Sequence, residues 1–428
     1  MQFQADESFA YNLDEEDPHS DYRKEFYIPE ETVYLNGNSL GLLSERAEKR
    51  LQRALDEWKK LGIKGWTEAD PPWFWYGEKL GELTAPLVGA EPEETVITNS
   101  TTVNLHHLIA TFYKPEEKGK KIIADELNFP SDLYAVKSQI ALAGGDPEED
   151  LIMIESRDGR TIDEEDITAA FSEEVGMVVL PVVQFRSGQL LDMEKITARA
   201  RRHDIVVGFD LAHSIGALPH RLSELEVDFA VWCNYKYLSA GPGAVGGLYV
   251  NKKYHEKEPA LAGWWGHDKE TQFDMDKEFT SADTAGAWQI GTIPVLSAAP
   301  LFGTLDLINE LGIENIRKRS LRLTSYLLYL IEEKLDDLNI GFSTTTPHRA
   351  ERRGGHIALK PEREAFRINE ALKERGIIGD FREPGIIRLT PSPLHTSFHE
   401  VWQTANALEE IVEDKEYENF SHSRDAVT

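Results

Sequence analysis

Through the middle of the chain, short apolar runs rich in β-branched residues alternate with stretches whose apolar positions recur every three to four residues. The runs are TVITN from Thr95, KIIAD from Lys121, LIMIE from Leu151, MVVLPVV from Met177, IVVGFD from Ile205, DFAVWCN from Asp228 and GGLYV from Gly246. Their alternation with helical stretches is the pattern of βαβ units and predicts an α/β fold with a largely parallel sheet. Between the strands, MEKITARARRHD places Ile196 and Ala200 on one face and charge on the other. An earlier helix should follow Ser44 as N-cap, with Ala47, Leu51, Ala54, Leu55 and Trp58 on its apolar face.

From about Ile313 the pattern changes. A long amphipathic helix leads to GGHIALK, another helix from Glu362, the strand IIRLT and a last helix, which together read as a smaller α+β domain. The expected division is an N-terminal segment (1–50) packing with the small domain, a large domain (51–300) and a small C-terminal domain (301–428). The charged tail EDKEYENFSHSRDAVT is expected to fray.

Composition narrows the function classes. The chain has 428 residues, 41% of them hydrophobic, and a formal charge of -29, which repels polyanions and makes nucleic acid an unexpected partner. The acidic N-terminus lacks the basic flank and apolar run of a signal peptide, and no run of about 18 apolar residues occurs, so a cytoplasmic protein without a membrane partner is expected. One cysteine, Cys233, forms no internal disulfide, and no HExxH spacing or cysteine cluster predicts a metal site.

The chemistry gathers where the strands end. Lys236 closes the run DFAVWCNYK, and lysine is rarely buried without a partner or a task. The plain alternative is the solvated end of a strand. Asp210 and His213 end the neighbouring apolar run, at the strand edge where open α/β sheets bind ligands. A lysine that bonds to an aldehyde carbon and an aspartate beneath a cationic ring nitrogen suit pyridoxal phosphate, with a helix N-cap as the lesser alternative for Asp210. After Lys236, AGPGAVGG permits tight turns and close backbone approach. NSTTVNLHHLIATFY opens a helix with hydroxyl side chains, so Thr101 and Thr102 can either bind a phosphate or simply cap that helix. Phe129, in the segment LNFPSD, is placed to stack on a cofactor ring.

Taken together, YLNGNSLG (Tyr34 to Gly41), STTVNLH, FPSD (Phe129 to Asp132), FDLAHS (Phe209 to Ser214), NYKYL with AGPGAVGGLYV, GWWGH (Gly263 to His267) and DFREPGIIRLTPSPL resemble the kynureninases. The motifs fall in order from about residue 30 to 400. The resemblance implies a pyridoxal-phosphate-dependent, transferase-like fold of type I, the aspartate aminotransferase fold. Its mostly parallel seven-stranded sheet would be sandwiched by helices in a homodimer with active sites at the subunit interface. It also implies catalytic roles for Lys236, Tyr235 and Asp210. Cofactor contacts would come from Thr101, Thr102, Phe129, Pro130, Ser131, Asp132, Asp210, His213, Tyr235 and Lys236, with Trp264 and Thr292 from the neighbouring subunit. Arg388 would take the substrate carboxylate, with Arg382 as the nearby competitor, and Ser39, Trp66 and Trp265 would line the substrate pocket.

The implied reaction is hydrolysis of kynurenine or 3-hydroxykynurenine in tryptophan breakdown. A class V aminotransferase or a desulfurase shares the fold and cofactor. A desulfurase needs a mobile catalytic cysteine, whereas Cys233 reads as a buried thiol inside a strand. A pyridoxal-fold regulator without turnover is the remaining alternative.

Overall fold

The computed structural model describes residues 2–336 and 338–422. Seven strands form the main sheet: β1 (Thr95–Ile97), β2 (Lys121–Asp125), β3 (Leu151–Ile154), β4 (Val175–Pro181), β5 (Val206–Asp210), β6 (Phe229–Trp232) and β7 (Gly247–Val250). Their spatial order is β1-β7-β6-β5-β4-β2-β3, and only β7 runs against its neighbours. Each of the seven apolar runs read from the sequence supplies one strand. Strands β4 to β7 and β1 are buried along their whole length. That is why their sequences are continuous apolar runs rather than alternating ones, because helices cover both faces of a parallel sheet.

One face packs against Leu105, Leu108, Ile109 and Phe112 of the helix Thr101–Phe112, together with Val136 and Ile140 of the helix Pro130–Leu142. The other holds Ile196, Leu80 and the helix Val295–Leu311, which lies across the helix Glu45–Leu61. Ser44 caps Glu45–Leu61 as expected, its hydroxyl accepting from the Ala47 N–H. Only Ala47 and Ala54 of the predicted apolar face are fully buried, and Trp58 is 59% exposed. The reason is local: Trp58 stands on the rim of an open apolar groove with Ile63 and Trp66.

A smaller antiparallel sheet carries β8 (Phe342–Thr344), β9 (Ile357–Pro361), β10 (Asp380–Arg382) and β11 (Ile386–Leu389) in the order β10-β11-β9-β8. It packs with the helices Ile313–Leu335, Ala365–Glu374 and Phe398–Glu413. The two cores meet inside the helix Ile313–Leu335, which gives Ile316 to the large core and Leu323 onward to the small one. Ala10, Leu13 and Leu35 from the N-terminal segment also enter the small core, and Val33–Tyr34 pairs in parallel with Ile377–Ile378.

The expected fraying of the tail does not hold up to His422. Tyr417 is buried in the small core, and Glu416 is paired with Arg375. The apolar anchor and the ion pair were hidden by the acidic composition around them; Ser423 to Thr428 lie outside the described residues.

Candidate active site

The parallel strands deliver their C-terminal ends to one edge of the sheet, and a cleft opens there. It is lined by Thr101, Thr102, Phe129, Ser131, Asp132, Pro181, Val183, Phe185, Asp210, Ala212, His213, Cys233, Tyr235 and Lys236. The ammonium of Lys236 lies 3.1 Å from His213 Nε2, with the rings of Phe129 and Tyr235 about it at 6.0 and 5.9 Å. The solvated strand end is therefore excluded for Lys236, because the chain turns inward after β6 and delivers the side chain to the cleft.

Behind the lysine, Asp210 ends β5 and is almost wholly buried. It caps no helix. Its Oδ1 accepts from the Ala212 N–H at 2.8 Å within the turn that follows, leaving the carboxyl facing the cleft. Burial raises its pKa, opposed chiefly by the Lys236 charge. Asp132, also buried, hydrogen-bonds to Asp210, and burial followed by the Asp210 charge holds its carboxyl well above the usual range. Two carboxyls this close do not both ionise easily, so Asp132 is the one that keeps the proton. Asp132 Oδ2 and His213 Nδ1 are buried without a partner among the described residues. Burial and the Lys236 charge keep His213 neutral.

At the far end of the cleft begins the helix Thr101–Phe112. Its N-cap Ser100 makes no side-chain cap bond, so the first-turn N–H groups are left without one. The two threonines do not act as caps, and Thr102 Oγ1 instead pairs with Ser131 Oγ at 2.8 Å. The glycine-rich segment after Lys236 presses against this helix start: a Cβ on Gly246 would stand 2.9 Å from the Thr101 nitrogen. Gly241 and Gly243 adopt φ of +96° and +70°, which only glycine accepts easily. Uncapped N–H groups, hydroxyls and a close backbone form a cup suited to a phosphate.

On the small-domain side, Arg388 is buried. Its Nη1 donates to the Phe185 carbonyl at 2.7 Å, its Nη2 lies 3.2 Å from Ser39 Oγ, and it is ion-paired with Asp380. Phe185 lines the lysine cleft and stands edge-on to Phe129, so this cluster adjoins the cleft. The segment holding Ser39 is pinned there too, since the Gly41 N–H donates to the Tyr235 carbonyl at 2.8 Å. Arg382 pairs with Asp380 at 2.8 Å and is no loose surface residue.

Thr292, Trp66, Trp264 and Trp265 are not among the residues that line the Lys236 cleft. Thr292 and Trp66 line an open apolar groove of about 700 Å³ with Trp58, Ile63, Trp73 and Leu296. Trp264 is half exposed, and Trp265 is buried against Trp66 and Phe74. Pro130 is the first residue of its helix and does not line the cleft. Cys233 follows β6 rather than lying inside it and forms part of the cleft wall, its thiol pushed up by burial.

Sequence reasoning missed Phe185, Val183, His356 and Asp380. The first two follow β4 and answer to the same strand-end rule that found Asp210. Asp380 had its own signal: in the hairpin DFREPGIIRL the register sets it opposite Arg388. His356 lies beside His213, ring centroids 5.8 Å apart, and left no signal in the sequence.

Residues 316–408 match the model of the kynureninase C-terminal domain, and residues 76–222 that of the DegT/DnrJ/EryC1/StrS aminotransferase family. A kynureninase of Geobacillus thermodenitrificans is 55% identical over 98% of this chain and 97% of its own. One from Bacillus anthracis is 53% identical over 99% of both. The chain belongs to the kynureninase family.

Solved structures agree on the fold. A cysteine desulfurase of Thermococcus onnurineus superposes with a TM-score of 0.78 at 19% identity, covering 92% of this chain and 98% of its own. A C-DES variant with glycine covalently linked to its PLP cofactor gives 0.77 at 19% identity, covering 90% and 99%. At such identities the likeness concerns the fold alone.

Proposed function

We infer that the protein hydrolyses L-kynurenine, or its 3-hydroxy derivative, to anthranilate or 3-hydroxyanthranilate and L-alanine, using pyridoxal phosphate. The observation that carries this reading is the cleft itself: a lysine beside a neutral histidine, two buried carboxyls with an orphaned oxygen behind, and an uncapped helix start opposite. Full-length kinship with kynureninases supports it. The cofactor fits these groups. Lys236 would hold its aldehyde carbon, Asp210 its ring nitrogen, Phe129 its ring face, and Thr101, Thr102 and Tyr235 its phosphate. When bound it supplies the electron sink that makes the α-proton removable and the Cβ–Cγ bond cleavable.

With the cofactor bound, the Lys236 amine would serve as the base that takes the proton from the substrate Cα. Asp132 keeps its proton and hydrogen-bonds Asp210, whose carboxylate would hold the cofactor's ring nitrogen in its protonated form. Tyr235, whose pKa burial raises, remains protonated at neutral pH and would deliver a proton to Cβ as alanine forms. Water adds to the γ-carbonyl, so the reaction consumes one water for the bond broken. Arg388 fixes the α-carboxylate.

Trp264 and Thr292 complete the phosphate end from a second copy of the chain. The exposed apolar groove around Thr292 supports that assignment, and Trp66 and Trp265 beside it would line the aromatic end of the pocket. We place the reaction in tryptophan catabolism, supplying NAD biosynthesis when 3-hydroxykynurenine is the substrate, and in the cytoplasm, where the lone Cys233 stays reduced.

The deciding experiment incubates the cofactor-loaded protein with each substrate and follows products by mass spectrometry. Alanine in equal amount to an anthranilate is expected. Kynurenic acid, from a transaminated and cyclised substrate, would overturn hydrolysis in favour of transamination.

A further inference from the structure

The role given to Arg388 leaves a neighbour without a task. Asp380 and Arg388 stand opposite each other in the antiparallel pair β10–β11, both almost wholly buried, so their side chains leave the same face of the small sheet. Asp380 Oδ2 accepts from Arg388 Nη2 and from the Ser39 hydroxyl, the latter at 2.8 Å, while Oδ1 accepts from Arg382 Nη1 at 2.8 Å. The Phe185 carbonyl accepts from Arg388 Nη1. One nitrogen remains: Nε is buried and has no partner among the described residues.

A guanidinium offers a carboxylate a two-pronged edge, and one such edge is made by Nε–H and the neighbouring Nη2–H. Asp380 holds the Nη2 half of it. The Nε half is vacant, and a buried donor without an acceptor points to a ligand that brings one.

We propose that Asp380 is an internal stand-in for the substrate carboxylate: it occupies Arg388 Nη2 between turnovers, and the α-carboxylate of an amino acid docks on Nε and takes over Nη2. This rests on the reading of Arg388 as the carboxylate-binding residue. Displaced, Asp380 keeps Arg382 and Ser39 as donors, so its charge is not orphaned in the interior. The exchange is of one carboxylate for another, and Arg388 is never a bare buried cation.

Two consequences follow from the chemistry. An amine without a carboxylate cannot displace Asp380, which makes Asp380 a specificity-determining residue for amino acids. L-Alanine, the product, carries the same carboxylate as the substrate. The return of Asp380 to Arg388 therefore helps expel it, as an internal competitor lowers apparent affinity for both.

The test titrates the cofactor-loaded enzyme with L-alanine, which has no aromatic group to confuse the reading, and with ethylamine as the carboxylate-free control. Binding is followed by the cofactor's visible absorbance and by calorimetry. Asp380→Asn should tighten L-alanine binding by about three- to tenfold and leave ethylamine unchanged. Ser39→Ala removes the hydroxyl that shares Asp380 Oδ2, strengthens the hold on Arg388, and should weaken L-alanine by about twofold.

Unchanged or weaker L-alanine binding in Asp380→Asn, or an equal gain for ethylamine, overturns the proposal. If Asp380→Asn fails to fold, the sign of Ser39→Ala decides, and unchanged or tighter binding there overturns it. Arg388→Lys separates the two claims. If it binds L-alanine as well as the wild type, the reading of Arg388 falls and the stand-in with it; if it binds weakly while Asp380→Asn does not bind more tightly, the stand-in alone falls.

Discussion

The Lys236 cleft and the Arg388 cluster adjoin each other through Phe185 but are built on opposite plans. The cleft stands on the C-terminal ends of parallel strands and keeps buried polar atoms, Asp132 Oδ2 and His213 Nδ1, without partners among the described residues. The cluster stands on an antiparallel hairpin where Arg382 and Arg388 share the one carboxylate of Asp380, and the Arg388 Nε has no partner among the described residues. An unpaired buried polar group costs about 1–3 kcal/mol, so the first arrangement suits a group that stays bound and the second a ligand that comes and goes.

The largest effect is expected where that difference is sharpest. Lys236→Ala should abolish turnover and remove the visible absorbance of the lysine-linked cofactor. Retained turnover at the wild-type rate would remove the basis for treating the cleft as the reacting end. In Arg388→Gln the cofactor spectrum should stay intact while kcat/KM falls on the order of a hundredfold, the cost of truncating one partner of a buried charge pair. A lost cofactor spectrum in Arg388→Gln would mean that the two regions form one unit.

The proposed sharing of the site between two subunits gives a third test. The Lys236→Ala protein should be inactive and Thr292→Ala weak, and unfolding and refolding them together should regain about a quarter of the wild-type sites, because one site of each mixed dimer is intact. No recovery would place Thr292 outside the site.

These two regions also differed in how far they could be read from the chain. The seven apolar runs gave the main sheet, and the strand-end rule then placed Asp210, His213 and Lys236 at one edge without any further contact being known. The Arg388 cluster depends on long-range pairing: Ser39 reaches it across the fold, and Phe185 reaches it with a carbonyl, which no side-chain pattern reports. Trp58 shows the limit of periodicity. Its position on the helix was right for an apolar face, but that face continues into a groove that stays open within one chain.

The smallest expected effect is on the pH dependence of stability, where two buried groups, Asp125 and His356, have opposite signs. Asp125 lies fully buried at the end of β2, held by the Gln184 amide at 2.9 Å and the Leu127 N–H at 3.0 Å, and burial raises its carboxyl to about 7. The folded state binds that proton more tightly than the unfolded one. Its contribution is complete below the ordinary carboxylate value and is lost as pH rises through about 7. His356, buried beside His213 with both ring nitrogens unpartnered among the described residues, is lowered to about 3 by burial, with the Arg388 and Lys236 charges adding to it. Its contribution is present above the ordinary imidazole value and is lost as pH falls toward about 3. Melting curves from acid to mildly alkaline pH should therefore separate the two. Asp125→Asn keeps the hydrogen-bonded shape and should flatten the decline in Tm on approaching neutrality, whereas His356→Phe should flatten the decline on the acid side, each by a few degrees at most. If both variants altered the same side of the curve, Asp125 and His356 would share one titration rather than oppose each other, and the opposite signs assigned to them would be wrong.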